Sequence, residues 1–470
     1  MAPPESDYLN SLAEAQPEVW WLDADPLKPE ALPALIGEQQ ADLCIVGAGY
    51  TGLWTALIAK ERDPHRSVII LEQSVAGAGA SGRNGGFCSA SLTHGFQNGR
   101  RRFPDELATL ERLGHENLNA IEDTIKRYGI DCAWERTGEL NVATAPWQLS
   151  ELEAQAELRK EMGDEVELLD QAQVQKRVNS PAYLGGLFDP QGTALVDPAR
   201  LVWGLERACR ALGVSIYEHT PAESLKKIGT KMKVVTPYGS VTAAHVALAT
   251  NAFPSLIRRA RKYIIPVYDY QLATEPLTEE QRAAIGWEGR EGVADSANQF
   301  HYYRLTADGS ILWGGFDAIY NFRGKLGQKY ESNPEVYARL AKHFFETFPQ
   351  LGGIRFTHSW AGVIDTCSRF AAFWGTAYKG RVAYVLGYTG LGVAATRFGA
   401  ETMLDLLEAK ANERTALTMV RRKPLPFPPE PLRWFVFRLT HWSLVRADAR
   451  GGKRNLWLKL TDALGLGFDS

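Results

Sequence analysis

No CxxC pair, no regular cysteine spacing and no run of ~18 or more apolar residues occurs in the 470 residues. The five cysteines, Cys44, Cys88, Cys132, Cys209 and Cys367, stand singly. That scatter argues against a disulfide framework or a structural zinc and suits a reducing compartment. Without a long apolar run nothing reads as a transmembrane helix. The opening MAPPESDYLN has neither the basic stretch nor the apolar core of a secretory signal, so a cytoplasmic location is expected. A basic excess is also missing. The formal net charge is −3, which gives no footprint for nucleic acid. Hydrophobic and charged fractions of 45% and 23% are ordinary for a globular protein, and the length suffices for two or three domains.

What is present is a glycine-rich stretch, 42–86, reading DLCIVGAGYTGLWTALIAKERDPHRSVIILEQSVAGAGASGRNGG. The apolar run 43–46 has no polar face and reads as a buried parallel strand. It breaks into Gly47-Ala48-Gly49-Tyr50-Thr51-Gly52 and continues into a helix-permissive segment, 53–60. A second strand, 68–71, ends on Glu72. A GxGxxG alone also marks ordinary turns, but here strand, turn, helix, strand and acid follow in the order a dinucleotide site needs. Gly47 permits the tight turn, Gly49 lets the backbone approach a diphosphate, and Gly52 lets helix and strand pack closely. The diphosphate then meets unpaired N–H groups at a helix N-terminus, and Glu72 can accept from ribose hydroxyls. The next segment, 76–86, packs five glycines around Ser81, Arg83 and Asn84. It offers many backbone donors in a small space. Gln73, Ser81, Gly82, Arg83, Asn84, Gly85 and Gly86 are therefore expected to wall the nucleotide site; the plain alternative is a mobile surface loop.

Along the rest of the chain, 1–40 reads as a proline-rich, acidic arm anchored by Trp20 and Trp21. Apolar residues at helical spacing predict a helix over 105–128, closed by Gly129. Further helices are expected over 150–162, 198–212 and 335–348, and strands over 134–143, 214–217, 232–236 and 241–250. The last ends at Thr250-Asn251, and its His245 reads as a satisfied core histidine. From 263 the composition turns to aromatic strands, YIIPVYDYQLATEPL and QFHYYRLTADGSILWGG. Alternation puts His301 and Tyr303 on one face and Tyr302 and Arg304 on the other; which face lines a cavity stays open. A strand at 382–386 runs into Gly387, Gly390 and Gly392 and then a helix, a second glycine-rich strand-to-helix turn. The tail, 411–470, carries eleven Lys/Arg against five Asp/Glu, hence +6, and the rest −9. Its RWFVFRLTHW segment is expected to cover its own domain; docking to a membrane surface or a partner is the alternative.

The motifs VGAGYTG with Glu72, then GASGRNGG, resemble the FAD-dependent amine and amino-acid oxidoreductases, among them D-amino-acid oxidase, glycine oxidase, sarcosine oxidase and γ-glutamylputrescine oxidoreductase, the ASGRNGG form being most similar to the last branch. The resemblance spans most of 40–410. It implies an α/β fold: a Rossmann-like FAD-binding domain from discontinuous segments (41–88, 196–262, 357–410) plus an α+β substrate domain with an antiparallel sheet (89–195, 263–356). The arm 1–40 and a helical extension, 411–470, flank them. It further implies that Thr250 and Asn251 border the FAD. The 387–392 turn, with Thr389, Gly390, Gly392 and Val393, would point a helix N-terminus at the flavin edge where negative charge builds.

The implied reaction oxidises a C–N bond of an amine, with O2 or another acceptor taking the electrons. An unprotonated amine is required, and no residue announces itself as the base; His94, Tyr268, Tyr270, His301 and Arg304 are the candidates. The family's carboxylate-clamping arginines have Ile364 and Thr389 as counterparts here, and the lysine of sarcosine oxidases has Ala394. That leans the expectation toward an amine or polyamine derivative, with Arg304 or Arg323 reaching a distant carboxylate. The cysteine that tethers flavin in sarcosine oxidases falls near Ala361, so the FAD is expected to be non-covalent. Other readings are an amino-acid oxidase of the same fold, a binding or assembly protein with structural FAD, and a nicotinamide-dependent monooxygenase, for which no second GxGxxG is found.

Overall fold

The computed structural model describes residues 5–23 and 25–463; the ends of the arm and of the tail lie outside the described residues. Two eight-stranded sheets organise the chain. In the first, Gly37–Val46 lies between Val68–Leu71 and Gly239–Leu248, all parallel. Ser215–Tyr217 extends it parallel beyond Val68–Leu71, and Val382–Leu386 extends it parallel beyond Gly239–Leu248. Phe373–Ala377 closes that edge antiparallel, and the hairpin Ser224–Ile228 and Lys231–Val235, antiparallel to the first half of Gly239–Leu248, completes the eight. Gly37–Val46 starts earlier than the apolar run suggests because its polar first half pairs with Gly239–Ala243. Helices Tyr50–Arg62, Pro198–Ala211 and Gly392–Leu407 pack on one face through residues such as Leu53, Leu57, Leu205, Met403 and Leu404. Val46, Leu71, Val246 and Tyr384 look the other way into a second apolar layer. Both faces of the parallel strands are thus covered, as a near-continuous apolar run requires.

The second sheet runs Phe356–Cys367, Ile264–Thr274, Ile311–Gly315, His301–Leu305, Gly292–Asp295, Glu139–Ala143, Gly185–Asp189, Glu167–Leu169. It is antiparallel except between Gly292–Asp295 and Glu139–Ala143. Phe356–Cys367, which the sequence reading places in the nucleotide unit, instead pairs with Ile264–Thr274 along its whole length. The crossing back therefore comes after Cys367, not at 357. Helix Pro334–Thr347 covers one face with Leu340, Phe344 and Phe345 against Tyr270, Tyr303 and Trp313.

Local chemistry sets the helix ends. Asp197 accepts from Arg200 N and Pro198 takes the first helical position of Pro198–Ala211. Helix Leu107–Tyr128 ends on Gly129 in the left-handed region at φ 59°. In the arm, Trp21 is buried and its Nε1 donates to Asn84 O at 2.8 Å, so the anchor grips the glycine loop itself. In the tail, helix Leu432–Asp448 buries Thr440, Ser443, Leu444 and Ala447 and is followed by Leu456–Ala463.

Candidate active site

The glycine turns of the first sheet and one face of the second enclose a cavity of about 1520 Å³. Ordinary small-molecule pockets span ~300–1,000 Å³, so this one has room for a dinucleotide and a substrate together.

At the nucleotide end, Gly47 has φ 107° and its N–H donates to Leu71 O at 2.8 Å. Gly49 opens helix Tyr50–Arg62, and a Cβ there would sit 2.9 Å from Ser81 Oγ. Ser81 Oγ in turn accepts from Tyr50 N at 3.0 Å. Thr51 Oγ1 donates to Tyr388 Oη at 3.0 Å, which ties the first glycine turn to the second. Glu72 accepts from Ala48 N (2.8 Å) and Ser74 N (2.9 Å), and burial raises its pKa. A carboxylate has roughly four acceptor sites, so capacity for ribose hydroxyls remains. Gln73, Thr250 and Asn251 border the same end, and Thr250 Oγ1 is buried without a partner.

The 76–86 loop is held by its own side chains and by its neighbours. Asn84 Nδ2 donates to Ala80 O and Ser81 O, and its Oδ1 accepts from Gly86 N. Arg83 donates through Nε to Ala78 O and through Nη1 to Glu331 at 2.6 Å, while its carbonyl accepts from Trp360 Nε1 and Gln271 Nε2. The side chain of Asn84 is therefore a staple, although the residue, with Ser81, Arg83 and Gly85, borders the cavity. Gly52, Gly82 and Gly86 do not border it. Each stands behind the wall, where a Cβ would strike the carbonyl oxygen of Gly47, Gly77 or Val196. For Gly82 and Gly86 the expected part in the wall is corrected to close packing beneath it, while Gly52 sits where helix meets strand.

The second turn is held from below. Asp365, 1% exposed, accepts from Gly387 N (2.5 Å) and Tyr388 N (3.2 Å), and burial pushes its pKa up to about 7. Thr389 (φ 53°) accepts from Cys367 N through Oγ1. Thr389, Gly390, Gly392 and Val393 all border the cavity at the start of helix Gly392–Leu407, whose first N–H groups lack intrahelical partners.

On the substrate side the pleat decides which residues face inward. In Ile264–Thr274 the odd-numbered Ile265, Val267, Asp269 and Gln271 border the cavity. Tyr268 and Tyr270 point into the opposite core, with Tyr268 Oη accepting from Gly327 N and Tyr270 stacked edge-on against Tyr337. The expectation of Tyr268 or Tyr270 as base is corrected accordingly. In His301–Leu305, beyond the intervening Ile311–Gly315, Tyr302 faces in. His301 is tied to Asp295 (2.6 Å) and His343 (2.9 Å), sandwiched by Trp313 and Phe316, and does not border the cavity. Arg304, 2% exposed, donates to Val196 O behind Gly86 and is equally shut out. Arg323 is exposed away from the cavity.

Of the candidate bases only His94 is at the wall. It has φ 59°, a buried and unpartnered Nδ1, and a ring 5.6 Å from Phe370. Burial first, then Arg102, lowers its pKa to about 4. A Cβ at Gly390 would lie 3.8 Å from Ile364 Cδ1 and 3.9 Å from His94 Cε1, so the three residues meet beside the second turn. A pair absent from the sequence reading faces the same space: Tyr302 Oη donates to Asp269 in a short hydrogen bond. Tyr302 lies against Gly85, Gly314 and Gly315, and burial pushes the Asp269 pKa up to about 6. Polar Asp269 and Gln271 inside an apolar strand were the signal, at period two. Tail residues Phe427, Arg433, Val436, Phe437 and His441 also line the cavity, which no local motif announces.

A parallel sheet with two glycine turns feeding helices, joined to an antiparallel sheet across one cavity, defines a dinucleotide-dependent oxidoreductase class. The family model for FAD dependent oxidoreductase (DAO) matches residues 42–406, and the chain belongs to that family of enzymes acting on C–N donors. It is 33% identical to γ-glutamylputrescine oxidoreductase of Escherichia coli over 395 residues, covering 82% of this chain and 88% of that one. It is 30% identical to a probable oxidoreductase, OrdL, of Haemophilus influenzae, covering 80% and 84%. Glycine oxidase from Geobacillus kaustophilus shares the fold, with TM-score 0.68 at 19% identity over 82% of this chain and 99% of that one. FAD is the cofactor. The turns fit it on their own account, since Gly49 leaves open the space a Cβ would take and Thr250 Oγ1 lacks a partner.

Proposed function

We propose that this enzyme oxidises the C–N bond of an acylated or γ-glutamylated diamine rather than a simple α-amino acid. The observation that carries the reading is the wall beside the Gly390 turn. His94 and Ile364 stand there, the Tyr302–Asp269 pair borders the same cavity, and the guanidinium of Arg83 is held by Glu331 and by carbonyls. A planar carboxylate next to the reacting carbon would need a free bidentate cation, worth roughly 1.5–3 kcal/mol per charge-assisted bond. An ammonium group is served instead by Asp269. Ala394 is buried and does not border the cavity, so it offers nothing in place of a lysine.

When bound, FAD supplies the two-electron acceptor for the carbon bearing the nitrogen. The chain's part is to orient the amine, shed its proton and exclude water. The Asp269 carboxylate, held near 6 by burial, takes the ammonium proton with Tyr302 fixing its geometry. Phe87, Phe96, Phe300 and Phe316 keep the alkyl chain dry. A distal carboxylate of the substrate meets Arg433, whose Nε is committed to Pro428 O. Arg433 thus takes the place foreseen for Arg304 or Arg323. The likeness to a γ-glutamylputrescine oxidoreductase supports this choice.

Anaerobic flavin reduction and kcat/KM for γ-glutamylputrescine, putrescine, sarcosine and D-alanine test it. The first two should lead by at least the tenfold that ~1.4 kcal/mol represents. A lead for sarcosine or D-alanine would make this an amino-acid oxidase.

A further inference from the structure

Helix Leu432–Asp448 is apolar on two sides, and only one of them is used. Its inner side buries Thr440, Ser443, Leu444 and Ala447 and lines the cavity with Val436 and Phe437. Its outer side presents Leu432 (56% exposed), Phe435 (59%), Leu439 and Trp442 (53%). A helix apolar all round is normally covered all round, and contiguous exposed apolar area marks an interaction site.

Charge says what covers it. Arg438, Arg446, Arg450, Lys453 and Lys459 are exposed in the same segment, and among the described residues none is paired with a carboxylate. Arg446 lies over the Trp442 ring at 5.3 Å and Arg438 over the Trp434 ring at 5.7 Å, so cations and aromatics share one surface. The acids turn the other way. Asp448 accepts from Asn298 and Gln299, Asp462 is held by Arg454 and Arg101, and Glu430 accepts from Tyr320 Oη and Arg323 N. Among the described residues the outward surface is therefore apolar and cationic.

We propose that helix Leu432–Asp448 lies in the headgroup layer of an anionic phospholipid membrane, with Phe435, Leu439 and Trp442 at the acyl boundary and Arg438, Arg446 and Arg450 against phosphate. Aromatic residues flanked by Lys and Arg whose stems reach outward are the side chains such a layer selects. A second copy of this chain is the weaker occupant, because a two-fold contact brings two arginine-rich patches together with no exposed carboxylate among the described residues of either to meet them. The docked face is the outside of the cavity roof, so a membrane would steady the helix that shapes the distal subsite.

The test is co-sedimentation of the full-length holoenzyme with vesicles of phosphatidylcholine alone or with 30 mol% phosphatidylglycerol, about 8 Å of Debye screening being kept at physiological salt. Binding should be at least tenfold tighter to the anionic vesicles and should fall at 0.5 M salt. Phe435→Ser/Trp442→Ser and, separately, Arg438→Glu/Arg446→Glu should each abolish it while flavin absorbance and melting temperature stay unchanged. Equal binding to both vesicles, or none, overturns the proposal. So does a dimer in light scattering that Phe435→Ser/Trp442→Ser splits without any vesicle binding by the parent protein.

Discussion

Gly49 and Gly52 sit three residues apart in one turn and should fail in opposite ways when given a methyl group. At Gly52 a Cβ would stand 1.9 Å from Gly47 O and 3.4 Å from Ile45 Cγ2. Ordinary carbon–oxygen approaches are ~3.3–3.6 Å, so the helix must withdraw by more than ~1 Å from the strand it starts against. Overpacking of that kind costs ~1–3 kcal/mol or more, and the helix-propensity gain of Gly→Ala returns only ~1 kcal/mol. Gly52→Ala should therefore lower the melting temperature of the apoprotein by several degrees, at ~2–4 °C per kcal/mol for a domain of this size. At Gly49 the φ of −81° suits any residue and the neighbour, at 2.9 Å, is a Ser81 hydroxyl that can rotate. Gly49→Ala should leave the apoprotein melting point within ~1 °C yet weaken FAD at least tenfold, because the methyl group occupies the approach of the diphosphate. Differential scanning fluorimetry of both apoproteins, then FAD titration by quenching of flavin fluorescence, separates the two. If Gly49→Ala unfolds the protein while Gly52→Ala only loosens FAD, the assignment of roles is inverted.

Asp269→Asn should remove the acid limb of the kcat/KM profile, which otherwise rises with pH through about 6, and Tyr302→Phe should shift that limb while retaining activity; an unchanged limb in Asp269→Asn clears the carboxylate. His94 has a folded pKa of about 4 against 6.5 unfolded, so the fold binds fewer protons and loses stability as pH falls from 6.5 toward 4. His94→Gln should flatten that part of the melting-temperature curve relative to wild type, and a parallel curve would contradict the burial of a neutral ring. Denaturation followed by filtration should leave the flavin in the filtrate; Cys367 borders the cavity, but its Sγ is buried and donates to Ala371 O and Gly387 O, and yellow retained polypeptide would show a covalent bond.

What could be read from the sequence was what is decided within a few residues. The Gly47–Gly52 turn, the acid at Glu72 and the Gly387–Gly392 turn each pair a strand end with a helix start, and period and glycine spacing announce both. Which side of a pleat faces a cavity is decided by the partner layer. The aromatic Tyr268 and Tyr270 therefore drew attention that belonged to Asp269 and Gln271, and His301 hid a partner, His343, 42 residues away. Asn84 looked like a ligand because its staple closes onto its own loop. The tail's contribution of Phe427, Arg433 and Phe437 to the cavity depends on docking across the chain, which no local pattern encodes.

The order of strands in the nucleotide sheet has a consequence for how the protein is made. Gly37–Val46 pairs with Gly239–Leu248, and that strand waits in turn for Val382–Leu386. Val382 follows Val46 by 336 residues, which at ~5–20 residues per second means roughly 20–70 s of synthesis. During that interval the glycine turn at Gly47 has emerged, but the turn at Gly390 that completes the cavity has not. A nascent chain can hold the diphosphate end early and the ring end only late. Completion of the cavity is thus tied to the last quarter of translation; Lys231–Val235 already covers Ser240–Ala243, so the edge left open until then is Val246–Leu248.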